Sequence, residues 1–221
     1  MKKIALVILV CIATLGLSPA RAGVGLGLIK LKTGVKGGLS FYPADLTSNL
    51  PSSQFSGKLT YNTGFHVGVA SRLELLKILY IEPEILYNHA SYDIGLQPVA
   101  PSTSSGTTRV SDNFFSVPIL GGLKLGLPFL PISMRVYVGP VFNIYSFGSY
   151  SKSYFSDMQT THQGVGYQAG IGVSVLFIDV DLRISGTSAH PQQTFLLKSD
   201  GSRHEVDMAR HNIMLTAGFM F

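Results

Sequence analysis

The feature that most constrains this chain is an alternation of apolar with small or polar side chains at a period of two, held over segments of about ten residues. A period of two sends successive side chains to opposite faces of a strand, whereas an amphipathic helix would repeat every 3.6 residues. The clearest segment runs from Tyr61 to Leu73. Phe65, Val67, Val69 and Leu73 share one face, with Ser71 as its weak member, and Gly64, His66, Gly68, Ala70 and Arg72 share the other. In 79–87, Leu79, Ile81, Pro83, Ile85 and Tyr87 stand against Glu82 and Glu84. Residues 114–125 set Phe115, Val117, Ile119, Leu123 and Leu125 opposite Ser116, Gly122 and Lys124. Residues 134–145 set Met134, Val136, Val138, Phe142 and Ile144 opposite Arg135, Gly139 and Asn143.

Four further segments complete the set. Tyr167, Ala169, Ile171 and Val173 oppose Gln168, Gly170, Gly172 and Ser174; Val180 and Leu182 oppose Asp179, Asp181 and Arg183. Near the start Val35, Leu39 and Phe41 oppose Lys36, Gly38 and Ser40, and at the finish Ile213, Leu215, Ala217, Phe219 and Phe221 oppose Asn212, Thr216 and Gly218. The connections alternate as well. Residues 42–60, 93–112, 147–163 and 187–209 are long and rich in Ser, Thr, Gly and Asn, whereas those around 75–77, 126–132 and 176–178 are short. Short turns on one side and long loops on the other predict an all-β chain, an eight-stranded antiparallel up-and-down transmembrane β-barrel.

A soluble sandwich or barrel would turn its polar faces to water and carry many Lys and Glu there. Charged residues make up only 13% of this chain, its mean hydropathy is +0.31, and the polar faces are dominated by Gly, Ser and Asn. Such faces suit the inside of a narrow barrel. The apolar faces then meet lipid, which places the chain in a bacterial outer membrane.

Residues 1–22 read as a secretory signal peptide ahead of a barrel domain over 23–221. Lys2 and Lys3 form a basic start, Ile4 to Leu17 an apolar stretch too short for a bilayer span, and Ala20-Arg21-Ala22 a cleavage signal. Cleavage removes three of 17 basic residues and none of the 12 acids, so the net charge falls from +5 to +2 and the argument for a nucleic-acid partner disappears. It also removes Cys11, the only cysteine, and with it any disulfide or thiolate chemistry.

Within the strands every charge takes the inward parity. Lys36, Arg72, Lys124, Arg135 and Arg183 face five acids, Glu74, Glu82, Glu84, Asp179 and Asp181, and nearly all lie close to a short turn. Equal numbers of both signs predict an interior salt-bridge cluster with a structural role; a gated proton or ion path is the alternative. Buried charges of this kind must be paired.

No enzymatic, metal or cofactor constellation emerges. His89-Ala90-Ser91 resembles the His-x-Ser pair of lipid A deacylases, but its face is the lipid-facing one and no acid between Asp93 and Asp112 completes a triad. His66 points inward as a hydrogen-bonded lumen residue. His190, His204 and His211, with Glu205 and Asp207, fit no standard metal spacing. The strand ending in Phe219 and Phe221 looks like the insertion signal read by barrel-assembly machinery, with Thr216 where the familiar version has glycine.

Gly34-Val35-Lys36-Gly37-Gly38-Leu39, Ile81-Glu82-Pro83-Glu84-Ile85-Leu86-Tyr87, Phe115-Ser116-Val117-Pro118, Val138-Gly139-Pro140 and Asp181-Leu182-Arg183 resemble the PorT-type outer-membrane β-barrel family. The resemblance spans essentially the whole mature chain. It implies an eight-stranded barrel of Bacteroides-like bacteria, and PorT itself is linked to a protein-secretion system. A non-enzymatic scaffold with outer-membrane lipid around it is therefore expected. Its four long loops are available to a protein partner in a process such as secretion or adhesion. A lipid-modifying hydrolase and a small channel are the alternatives.

Overall fold

A computed structural model describes residues 29–42, 55–76, 78–98, 106–127, 129–150, 155–161, 164–187, 192–197, 203–207 and 211–221. The signal-peptide reading, His190 and the centres of the long connections lie outside the described residues. The elements are β1 (Ile29–Phe41), β2 (Phe55–Tyr61), β3 (Gly64–Leu75), β4 (Leu79–Pro98), β5 (Gly106–Gly126), β6 (Ile132–Tyr150), β7 (Phe155–Thr161), β8 (Gly164–Val175), β9 (Ile178–Thr187), β10 (Gln192–Leu197), β11 (Arg203–Asp207) and β12 (His211–Met220). There is no helix among the described residues.

Eight staves close on themselves in the order β1, β3, β4, β5, β6, β8, β9, β12, every neighbour antiparallel. β2 prolongs the β3 stave along β4, from Tyr61↔Tyr92 to Phe55↔Pro98. The first and last strands meet along Phe41↔Ile213 to Gly34↔Met220, so no edge is left to lipid. This is the closed barrel that the alternation predicts.

The two faces separate as period two requires. Outward aliphatics are uncovered, Ile171 by 58% and Leu182 by 48%, while Lys36, Arg72, Glu82, Arg135, Asp181 and Arg183 beside them are buried. Val117 keeps its outward parity, opposite the exposed Phe142 just past the register shift between Phe115 and Ser116 on the β5–β6 ladder, yet its side chain is covered.

The long connections also differ from expectation. Residues 93–98 and 106–112, assigned to a loop, extend β4 and β5, and β6 continues to Tyr150. β2 occupies the end of 42–60, while β7, β10 and β11 occupy much of 147–163 and 187–209 and form a three-stranded sheet in the order β11-β10-β7. Outside the membrane no lipid demands an apolar face, so strands there lose the alternation that betrays them in sequence.

Candidate functional site

Inward parity alone places the charges in the lumen; glycine makes the space for them. Lys36 lies between Gly68 on β3 and Gly218 on β12, and Arg183 stands opposite Gly170. Arg135 and Asp181 both pair with Gly172, where an added Cβ would collide with the Asp181 carboxylate and come within 3.0 Å of Arg135 Nη2. A narrow barrel holds large charged side chains only where its own wall is thin.

Four bases and four acids then form one network. Lys36 Nζ donates to Glu82, to Glu84 Oε1 at 2.9 Å and to Asp181 Oδ2 at 3.4 Å. Arg72 donates from Nε to Glu82 and from Nη2 to Asp179 Oδ2 at 2.5 Å. Arg135 Nη2 reaches Asp181 Oδ1 at 2.7 Å and Asp179 Oδ2 at 3.2 Å. Arg183 is bidentate on Glu84, at 2.7 and 3.0 Å, and donates to Asp181 Oδ2 at 3.0 Å. All eight side chains are shut off from solvent.

Glu74 and Lys124 lie apart from this network. They pair with each other at 2.8 Å nearer the turns, and Lys32 approaches Glu74 at 3.9 Å. The ten inward charges therefore divide into a sealed group of eight and a partly accessible pair. Lys32 escaped the sequence reading although it shares the parity of Lys36. Tyr80 and Tyr137 were also missed. With Leu120 they form an apolar cluster, and their rings carry the guanidinium groups of Arg72 at 5.2 Å and Arg183 at 5.5 Å. Their signal was parity shared with Glu82 and Arg135.

Above the charges the described inward side chains are mostly uncharged, the buried Asp112 excepted. His66 is held on both ring nitrogens, Nδ1 with Ser40 Oγ at 3.1 Å and Nε2 with Thr216 Oγ1 at 2.9 Å. Asn88 Nδ2 donates to Ser116 Oγ at 2.8 Å. Outside the barrel His89 packs against Phe65, ring centroids 5.0 Å apart, and its Nδ1 meets Asn113 Oδ1 at 2.8 Å. Its described partner is thus an amide, where an acyl-transfer triad commonly uses a carboxylate. On the external extension Arg109 clasps Asp93 at 2.9 and 3.2 Å, with Asn62 Nδ2 at 3.4 Å from the same carboxylate. The hydrogen bond from Arg109 holds the Asp93 carboxyl below the usual carboxylate range.

The family described as Outer membrane protein beta-barrel domain matches residues 19–187. Among solved structures the chain resembles the outer membrane protein OprG from Pseudomonas aeruginosa. Identity is 12% and the TM-score 0.59, over 86% of this chain and 95% of that one. That likeness concerns the fold alone. The translocator domain of the autotransporter NalP from Neisseria meningitidis aligns over 100% of this chain and 98% of its own, at 10% identity and a TM-score of 0.28. No curated protein matches the chain.

Proposed function

The chain belongs to the outer membrane protein β-barrel domain family, and within it we propose that the protein is a non-enzymatic scaffold of the bacterial outer membrane. It presents its external segments to a protein partner in an envelope process such as secretion. The observation that carries this reading is the sealed group of eight charges. Every described base in it meets an acid on another strand, which favours neutralisation over conduction. Lipid surrounds the barrel, and the PorT likeness supports an accessory role in secretion. The outward rings of Phe219 and Phe221 at the closing strand support recognition by barrel-assembly machinery during insertion.

The hydrolase alternative draws on His89 and Ser91 alone. Neither side chain has a described carboxylate partner, so both alanine variants should leave host lipid A acylation unchanged.

Deleting the gene and restoring it in altered forms tests the scaffold reading. Forms with 42–60, 93–112, 147–163 or 187–209 replaced should fold but fail to restore the secretion or adhesion phenotype. His89→Ala should restore it fully. Full rescue by every exchanged form would overturn the reading, as would a stable single-channel conductance from the pure protein in planar bilayers.

A further inference from the structure

Among the described residues only three non-glycine positions have a positive φ, and each sits in one of the three short turns. They are Leu76 at 53°, Phe129 at 68° and Leu176 at 57°. Any side chain larger than hydrogen disfavours this left-handed region, and Gly, Asn and Asp are the residues that take it readily. A turn selected only to reverse the chain would carry one of those. Here all three carry a bulky apolar residue instead.

Packing within the chain does not account for the choice. Leu76 is 58% exposed, Phe129 105% and Leu176 64%, and their neighbours Ile78, Leu127, Leu130 and Phe177 are exposed too. The turns are nevertheless firmly held. Leu176 N–H donates to the carbonyl of Pro131, Met220 N–H to that of Phe177, and Phe177 stacks on Phe219 with centroids 6.2 Å apart. The described residues of the three turns thus present an uncovered apolar surface.

The upper limit of the membrane identifies what covers it. Phe65, Tyr87, His89 and Phe115 form an outward aromatic group, with Tyr87 and His89 both bonded to Asn113, and Tyr167 bonds His211 on the opposite wall at 3.0 Å. Rings with a polar handle of this kind belong at the membrane–water boundary. Ten residues of β3 separate Phe65 from Leu75. A rise of about 3.3 Å per residue, tilted by about 40°, makes that roughly 25 Å along the membrane normal, the full height of an apolar barrel band. The band therefore ends at the feet of the strands. Val175, Leu176, Phe177 and Ile178 continue it without a break into the layer just beyond.

We propose that the three short turns form a membrane-binding rim, seated in the headgroup–acyl boundary of the periplasmic leaflet, and that phospholipid of that leaflet is what covers Leu76, Phe129 and Leu176. The rim fixes how deep the barrel sits. A periplasmic protein docked on the same surface is the competing outcome, and the lipid rim stands or falls independently of the external segments.

The chain contains no tryptophan, so one introduced indole reports its own surroundings. Phe129→Trp and Leu176→Trp, each in the full chain folded into phosphatidylethanolamine–phosphatidylglycerol vesicles, should emit blue-shifted light. Phospholipids brominated near the top of the acyl chain should quench them more than aqueous iodide does. Arg109→Trp on the external extension should show the reverse. Emission and quenching like those of Arg109→Trp at both turns would overturn the lipid rim and leave the surface to a periplasmic protein. As a second measurement, Leu176→Asn relieves the backbone but removes the anchor. It should lower the urea midpoint in vesicles and not in detergent micelles; a higher midpoint in both would equally overturn the proposal.

Discussion

Arg183 on β9 holds both carboxylate oxygens of Glu84 on β4, at 2.7 and 3.0 Å, although three staves of the barrel wall separate the two strands. The pair is a strut across the lumen. Breaking a buried pair by removing one partner costs about 3–5 kcal/mol, because the other charge is left without compensation. Glu84→Leu or Arg183→Leu should each destabilise the barrel by about that amount in urea unfolding, and the double variant should lose less than the two single losses combined. Strict additivity would show that the strut contributes nothing as a pair.

Replacement by the nearest residue type should not rescue it. Arg183→Lys keeps the charge but offers a compact ammonium where a planar fork bridges Glu84 and Asp181. Its unfolding midpoint should fall closer to that of Arg183→Leu than to the native chain.

The glycine at the centre of the network gives a sharper steric test. Gly172→Ala drives a methyl group into the Asp181 carboxylate and toward Arg135, and overpacking of this kind costs about 1–3 kcal/mol. Gly126→Ala, with nothing within 4 Å of the new carbon, should leave the midpoint where it is. Comparable effects from the two would contradict the assignment of Gly172 as the space-maker.

On the outer face, a charge should be costly wherever it meets the membrane interior. Ile171→Arg, midway along β8 and 58% exposed, should lose about 2–4 kcal/mol when folded in lipid vesicles. A variant as stable as the native chain there would mean that Ile171 does not face the membrane core.

Above the membrane, Asp93 should ionise at lower pH than a free aspartate, since Arg109 donates to its carboxylate. The sign follows from linkage. A carboxyl depressed on folding contributes its stabilisation above the unfolded value, about pH 4, and loses it as the pH falls through the lower folded value. A carbon-detected titration of Asp93 should move back toward about 3.9 in Arg109→Ala. An identical titration curve in both proteins would dissolve the pair.

How much of this could be read from the sequence follows from what the membrane demands. Lipid requires every residue of the band to obey parity, so Val67 and Ile171 were identifiable as outward and Arg72 and Asp181 as inward without coordinates. Partnership was not legible. Which carboxylate a guanidinium meets depends on how far the staves are staggered around the ring, and no local pattern records that. Glu74 and Lys124 share the parity of Glu82 and Arg135 yet pair apart from the sealed group. Tyr80 and Tyr137 were legible by the same rule and were missed, because an aromatic residue on an inward position carries no charge to draw attention. Val117 shows that parity assigns a face and not an exposure, since it lies opposite the exposed Phe142 and is still covered, and the strand ends near Asp93 and Arg109 show the rule fading where lipid gives way to water.

The pairing of β1 with β12 has a further consequence, for the order of assembly. Val35 meets Phe219, so the ring cannot shut until β12 is in place, and Lys36 sits on the very strand that β12 must meet. Before that moment Lys36 can already meet Glu82 and Glu84 by way of β3, but Asp181 on β9 waits for the ammonium that closure brings. The ladder with β3 sets which way β1 faces, so a slip of one residue at the β1–β12 seam would turn Thr216 and Gly218 toward lipid and present Ala217 and Phe219 to the lumen, because a side-chain period of two reverses every face at once. The seam is thus checked by volume: the frame that sets Gly218 against Lys36 is the one that leaves this side chain its room.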